Sequence, residues 1–249
     1  MPLHTTEAIV IGGHNLGEAD RIIPFFTRKL GKVRAVARGA RRVRSRYGGT
    51  LELFTLGQLV FFESPHRTLH KINEFSVVEP FAGLKADLRR LSRGAYLVEL
   101  AGASVEEGES NEEIFLLLRD ALTLLVLHDE SRLLRSFEIR LLRIVGYLLE
   151  LYRCLVCRSV LDNGAEPAIS PTRGGLVCSR CLSRAPDSLP VSVESLRFLR
   201  SVLHGGLEQS LASPLAHPHI TNLQEVLRVC IAHFFGKRLR SIAFLSLVE

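Results

Sequence analysis

The chain has 249 residues, 47% of them apolar and 23% charged, which excludes a disordered or fibrous protein and leaves room for two ordinary domains. Its net charge of +6 is unevenly placed: residues 1–79 carry 12 Lys and Arg against 7 Asp and Glu, the remainder 20 against 19. The surplus therefore sits in the first third, a pattern that points to a polyanion partner rather than to uniform solubilising charge.

Residues 1–79 read as short strands between turn signals, at 5–11, 19–27, 32–37, 50–56, 57–63 and 69–78. Five or six such strands with no helical period predict a small five-stranded barrel, an OB-like fold that binds nucleic acid on its second and third strands. That is where the charge concentrates. Arg21, Arg28, Lys29, Lys32, Arg34, Arg38, Arg41, Arg42, Arg44 and Arg46 fall within 26 residues that contain no Asp or Glu. These ten are the candidate nucleic-acid-facing residues. An Arg-rich solvated face is the plainer alternative. Phe25 and Phe26 are neighbours, so a strand points them to opposite faces, one to the core and the other a candidate stacking platform. Phe61 and Phe62 pose the same choice, and Tyr47 stands beside the Arg-rich loop.

From residue 80 onward the period becomes helical. A capping box of Ser110 and Glu113 precedes a helix over 114–127. The stretch 131–151 puts Leu133, Leu134, Phe137, Leu141, Val145 and Leu148 on one face, with Arg132, Arg135 and Arg143 elsewhere. Further helices are expected at 192–203 and 221–235, the second with Thr221 and Gln224 as its box. The acidic run Glu106, Glu107, Glu109, Glu112 and Glu113 reads as a loop plus a helix N-terminus, where negative charge is favourable. The expected division is an α+β chain: an OB-fold domain at 1–79, then a helical domain at 80–249 with a zinc module inserted at 152–184.

Cys154, Cys157, Cys178 and Cys181 form two Cys-x-x-Cys pairs separated by twenty residues. A two-residue gap lets both thiolates of a pair meet one metal, and two such knuckles complete a tetrahedron, so Zn2+ is the expected structural cofactor. Four sulfurs leave no open position for water, which argues against a catalytic zinc. Cys154 follows a helix, unlike a thioredoxin-like pair, and the His-x-Glu of a zinc deaminase is lacking. Gly12 and Gly17 have the spacing of a phosphate loop, but Glu18 stands where Lys is required. The reading is of a binding protein, not an enzyme. With no basic-then-apolar start at Met1–Glu7, no apolar span of about 18 residues and paired cysteines, the expected location is cytoplasmic, without a membrane partner.

Taken together the chain resembles the RecO family of bacterial recombination mediators. The resemblance rests on Glu7-Ala8-Ile9-Val10, Gly17-Glu18-Ala19-Asp20-Arg21-Ile22, residues 27–31, Ala37-Arg38-Gly39-Ala40-Arg41-Arg42, Gly48-Gly49 and the cysteine quartet after two long helices. It implies an N-terminal OB-fold, a helical remainder and a zinc module. It further implies ATP-independent work in recombinational repair: binding single- and double-stranded DNA, annealing complementary strands, and acting with RecR to load RecA on strands coated by single-stranded DNA-binding protein. The acidic, apolar tail of that last protein suits a basic rim around apolar residues, for which Arg228, Lys237, Arg238 and Arg240 beside Phe234 and Phe235 are candidates. An RNA-binding or translation-associated protein, and then a metal-dependent nuclease, are the alternatives.

Overall fold

The computed structural model describes residues 2–63, 68–128, 130–147, 150–161, 167–213, 215–236 and 239–248. The chain divides into two compact units, residues 1–127 with 239–249, and residues 128–238.

In the first unit β1 (Leu3–Val10), β2 (His14–Leu16), β3 (Asp20–Thr27), β4 (Gly31–Ala37), β5 (Leu56–Phe62) and β6 (His70–Glu79) form one sheet. The order is β1-β5-β6-β4-β3-β2, and β1 also pairs with β3, so five strands close into a barrel and β2 is an appendage on β3. The β4–β6 pairing is parallel. This is the OB-like barrel expected, and the chain is α+β. Period-two alternation explains its filling. Val33, Ala35 and Ala37 of β4 point inward with Ile23 and Phe25 of β3, while Lys32, Arg34 and Val36 point outward.

Two expectations for the barrel need correction. The strand expected at 50–56 does not form before Leu56: Phe54 has φ +75, which breaks the extended run, and its amide donates to the Val10 carbonyl while the Thr55 carbonyl accepts from the Val10 amide. The ring of Phe54 is fully buried against Gly94, where an added Cβ would come within 2.9 Å of it. Phe26 is not a stacking platform either. It is fully buried on the outside of the barrel, its ring 6.1 Å from that of Phe115.

The helices of this unit are α1 (Ala82–Lys85), α2 (Leu88–Ala103), α3 (Glu112–Leu127) and, from the end of the chain, α8 (Ser241–Leu245). Asn111, not Ser110, caps α3: its side chain accepts from the Ile114 amide at 3.0 Å, satisfying an otherwise free donor. Glu99 of α2 accepts from the amides of Arg240 and Ser241, which ties α8 down.

The second unit holds α4 (Ser131–Ile144), α5 (Val193–His204), α6 (Leu207–Ala212), α7 (His217–Phe235) and a small sheet, β8-β7-β9, of β7 (Ala168–Ser170), β8 (Gly175–Val177) and β9 (Leu189–Pro190). Helix α4 stops at Ile144 rather than at 151, with Gly146 at φ +77 beyond it; Leu148 lies outside the described residues. Arg135 is not a solvent residue. It is buried with Glu138 at 2.8 Å. Helix α7 begins a turn earlier than expected because Pro218 fits the first turn, where its missing amide costs nothing. Thr221 is therefore interior to the helix, and its hydroxyl donates to the His217 carbonyl.

Candidate nucleic-acid interface and metal centre

The ten basic residues of the first third divide between the two ends of the β3–β4 hairpin. At the loop end, Arg38, Arg41, Arg42, Arg44 and Arg46 are all exposed on the connection that follows β4. That connection is a chain of turns, with amides of Ala40, Arg42, Ser45 and Thr50 donating back to carbonyls three residues earlier. It is anchored from both sides. Tyr47 and Leu51 insert into the barrel core, and Arg46 lies 4.8 Å over the Tyr47 ring while donating to its hydroxyl. On the other side the Gly39 amide donates to Asp20, and Arg41 donates through its amide to Ala19 and through Nη1 to Gly17. Arg21, half-buried, pairs with Ala37 across β3–β4 and so stands next to Arg38.

At the hairpin end most of the charges are engaged. Arg28 Nη1 donates to Glu7 at 2.6 Å, and its Nε and Nη2 donate to Glu112 at 2.8 and 2.6 Å. These carboxylates raise the Arg28 pKa above its ordinary value, Glu7 most strongly. Arg34 Nη2 donates to Glu107 at 3.1 Å, and its Nε lies 3.0 Å from the other carboxylate oxygen, near enough for charge attraction but misaligned for a hydrogen bond. Lys32 forms a backbone bridge with Glu107. Lys29, in the hairpin turn, is exposed. The ten residues are thus not one uniform surface.

Sequence reasoning missed the reason. The acidic connection before α3 is laid on the outer face of the hairpin, its backbone so close that a Cβ on Gly31 would stand 2.1 Å from the Glu109 carbonyl oxygen. Gly31 also has φ +63, so glycine is required there twice over. The readable signal was charge complementarity between residues 106–113 and 28–34, eighty residues apart, a pairing that no local pattern announces.

In the second unit the four cysteines of the two pairs come together, with all four Sγ atoms within 4.8 Å of one another. Cys154, Cys178 and Cys181 are buried and Cys157 is exposed. The first knuckle is a tight turn in which the Arg158 amide donates to Cys154 and the Cys154 amide to Ser159, with Arg158 at φ +62. The second lies where β8 runs into a short 3-10 helix, Ser179–Arg184, whose Cys181 amide donates to Cys178. The Leu155 amide donates to Leu176 of β8 and fixes one knuckle to the other. The Ser159 hydroxyl and amide bring the Cys157 thiol down to about 6, whereas burial pushes Cys181 up to about 12. This cluster can hold a metal ion. Arg153, Arg158, Arg180 and Arg184 stand exposed around it.

Of the remaining candidates, Arg228 is exposed in the second unit and Arg240 in the first, while Lys237 and Arg238 lie outside the described residues. His219 accepts or donates at Ser192, 2.9 Å away, and faces Glu194 at 3.8 Å, a structural role near the start of α5. No described helix is long and apolar enough to cross a membrane.

Family models match both parts of the chain: Recombination protein O N terminal over residues 1–81 and Recombination protein O C terminal over residues 85–243. A curated relative from Roseiflexus sp. is 35% identical over 98% of this chain and 85% of its own length. Another from Nocardioides sp. is 34% identical over 98% and 99%, and one from Syntrophus aciditrophicus is 32% identical over 99% and 96%. Each of the three is named DNA repair protein RecO. A barrel of OB type, a helical remainder with a four-cysteine cluster and matches along nearly the whole length agree, and the chain belongs to the RecO family of DNA repair proteins.

Proposed function

We propose that this chain is a DNA-binding recombination mediator that anneals complementary strands without ATP and helps RecR load RecA on strands coated by single-stranded DNA-binding protein. The observation that carries the reading is the set of exposed arginines at 38, 41, 42, 44 and 46, held on a loop whose Tyr47 and Leu51 are plugged into the barrel. Guanidinium groups fixed this way grip phosphates through planar, forked donors. Backbone contacts position a strand without reading its bases, so the Watson–Crick edges stay free to find a complement. Annealing then needs only that the repulsion between two polyanions be offset. No bond is made or broken in this account, and it requires no active site.

The cysteine cluster is proposed to hold structural Zn2+. Sulfurs at about 2.3 Å from a tetrahedral zinc stand about 3.8 Å apart, and the Cys157 and Cys178 sulfurs are separated by 3.7 Å. Bound zinc would join the knuckle of Cys154 and Cys157 to β8 and the 3-10 helix, a folding role. Metal analysis should return one zinc per chain, and Cys178→Ser should abolish it. For the tail of single-stranded DNA-binding protein, Arg228 of the second unit and Arg240 of the first are each proposed separately as contacts, while the other two candidates, Lys237 and Arg238, lie outside the described residues.

The deciding experiment is annealing of complementary labelled strands, bare and coated with single-stranded DNA-binding protein, by the wild-type chain and by Arg41→Ala/Arg42→Ala/Arg44→Ala. The wild type should anneal both and the triple variant should lose most of the rate. Equal rates would remove the loop from the mechanism. Magnesium-dependent cleavage of the strands by pure protein would favour the nuclease alternative instead.

A further inference from the structure

The outer face of the second and third barrel strands is where an OB fold takes its nucleic acid, and in this protein that face already carries an anion. Five of the eight residues from 106 to 113 are glutamate. Two of them reach the hairpin: Glu107 to Arg34, and Glu112 to Arg28, which Glu7 of β1 also holds. The backbone of this connection is fixed by its close approach at Gly31 and by the burial of Phe26 against Phe115. The carboxylates are not fixed. Their side chains are 51% and 56% exposed, and those of Arg34 and Arg28 are 40% and 35% exposed. Water reaches both pairs, so each is weakly held and can exchange partners by rotamer change alone. Beside Arg34 lies a cavity of about 330 Å³, lined among others by Lys32, Arg34, Phe61, His70 and Glu107, with room for a phosphate-bearing ligand.

We infer that Glu107 and Glu112 are a built-in competitor for DNA phosphate at Arg34 and Arg28. The inference rests on the DNA-binding reading proposed above. A strand first meets the loop end, where the arginines are exposed. As it extends along the hairpin, its phosphates take over Arg34 and Arg28 from the two glutamates, which turn out to solvent. Until then the glutamates repel the strand and hold the hairpin end closed to it. Binding at this end is therefore weaker than its cation count suggests, which allows a gripped strand to be released.

The test is fluorescence anisotropy with a labelled single strand, at several salt concentrations, for the wild type, Glu107→Gln, Glu112→Gln and the double variant. The double variant should bind roughly two to five times more tightly at low salt, and its plot of log K against log salt should steepen by about 0.7 for the phosphate gained at Arg34, with a smaller addition at Arg28, whose Nη1 stays on Glu7. Most of that change should appear in Glu107→Gln alone and the smaller part in Glu112→Gln. Glu113→Gln is the control, because among the described residues Glu113 pairs with no cation. It makes the same charge change and should leave the slope alone. Unchanged or weaker binding by the double variant would overturn the inference, as would an equal gain from Glu113→Gln, which would mean net charge and not competition. Thermal melts of all variants guard against a folding artefact, since these exposed pairs should not shift the midpoint beyond a degree or two. A wild-type chain with no affinity for DNA would sink the underlying reading instead.

Discussion

The two ends of one β-hairpin carry the same kind of side chain and meet opposite fates. At the hairpin end Arg28 and Arg34 lie under an acidic connection, hydrogen-bonded to three glutamates. At the loop end Arg38, Arg42 and Arg44 project into solvent, and the loop's own stability comes from apolar plugs underneath rather than from ion pairs on top. Arg34, within β4, and Arg38, just past its end, are four residues apart, about 13 Å, and Arg28 is farther still. Both separations exceed a Debye length of about 8 Å at physiological salt, so the two ends are largely screened from one another. What the comparison teaches is that a count of basic residues measures the charge a chain has, not the charge it offers.

The largest effect is expected from removing the fit that seats the acidic connection. Gly31→Ala places a methyl 2.1 Å from the Glu109 carbonyl oxygen at a residue with φ +63. Left-handed strain and overpacking together should cost about 3 kcal/mol, read as a lower midpoint in urea unfolding. The same change should partly free the hairpin end, so the less stable protein should show a steeper salt dependence of DNA binding. Wild-type stability in this variant would mean that the connection does not sit on the hairpin as described.

Next in size is the loop end. Arg41→Ala/Arg42→Ala/Arg44→Ala removes three exposed guanidiniums while leaving Tyr47 and Leu51 in place. Affinity for a single strand should fall roughly tenfold to a hundredfold, and the salt slope should become shallower by about 2, near 0.7 for each of three phosphates. Retention of the wild-type slope would break the comparison from its other side. Single substitutions sharpen it further. Arg42→Ala should weaken binding about threefold, a single phosphate contact. Arg34→Ala should change it less than twofold, because its guanidinium is already held by Glu107.

Much of this was legible in the sequence for a physical reason. Period-two alternation in Lys32-Val33-Arg34-Ala35-Val36-Ala37 states which side chains fill the barrel and which face outward. The Cys-x-x-Cys pairs state a four-sulfur cluster because two-residue gaps have few geometries available. Both signals are local. What was not legible depends on partners distant in the chain. Phe26 reads as a possible stacking surface until Phe115 covers it. Glu107 and Glu112 read as dipole-favoured residues of a helix start until Arg34 and Arg28 are found beneath them. The strand expected at 50–56 failed for a mixed reason. Its composition is extended, but Phe54 turns left-handed to bury its ring against Gly94.

The smallest expected effect separates the two ends by pH. His70 pairs with Ala35 of β4 and lines the cavity beside Arg34, and burial lowers its pKa from the ordinary 6.5. Glu63 opposes that shift and His4 adds to it. A folded value below the unfolded one means that, just below pH 6.5, the unfolded chain binds more protons than the folded chain. Stability therefore rises with pH through that window and is lost as pH falls into it. His70→Asn should flatten this slope in urea unfolding measured across the window. The cations of the loop end are guanidinium groups, which do not titrate near neutrality, so DNA binding through them should stay level over the same range. If binding by the Arg34→Ala variant nevertheless followed the titration of His70, the two ends would be coupled, and the independence argued from their separation would fail.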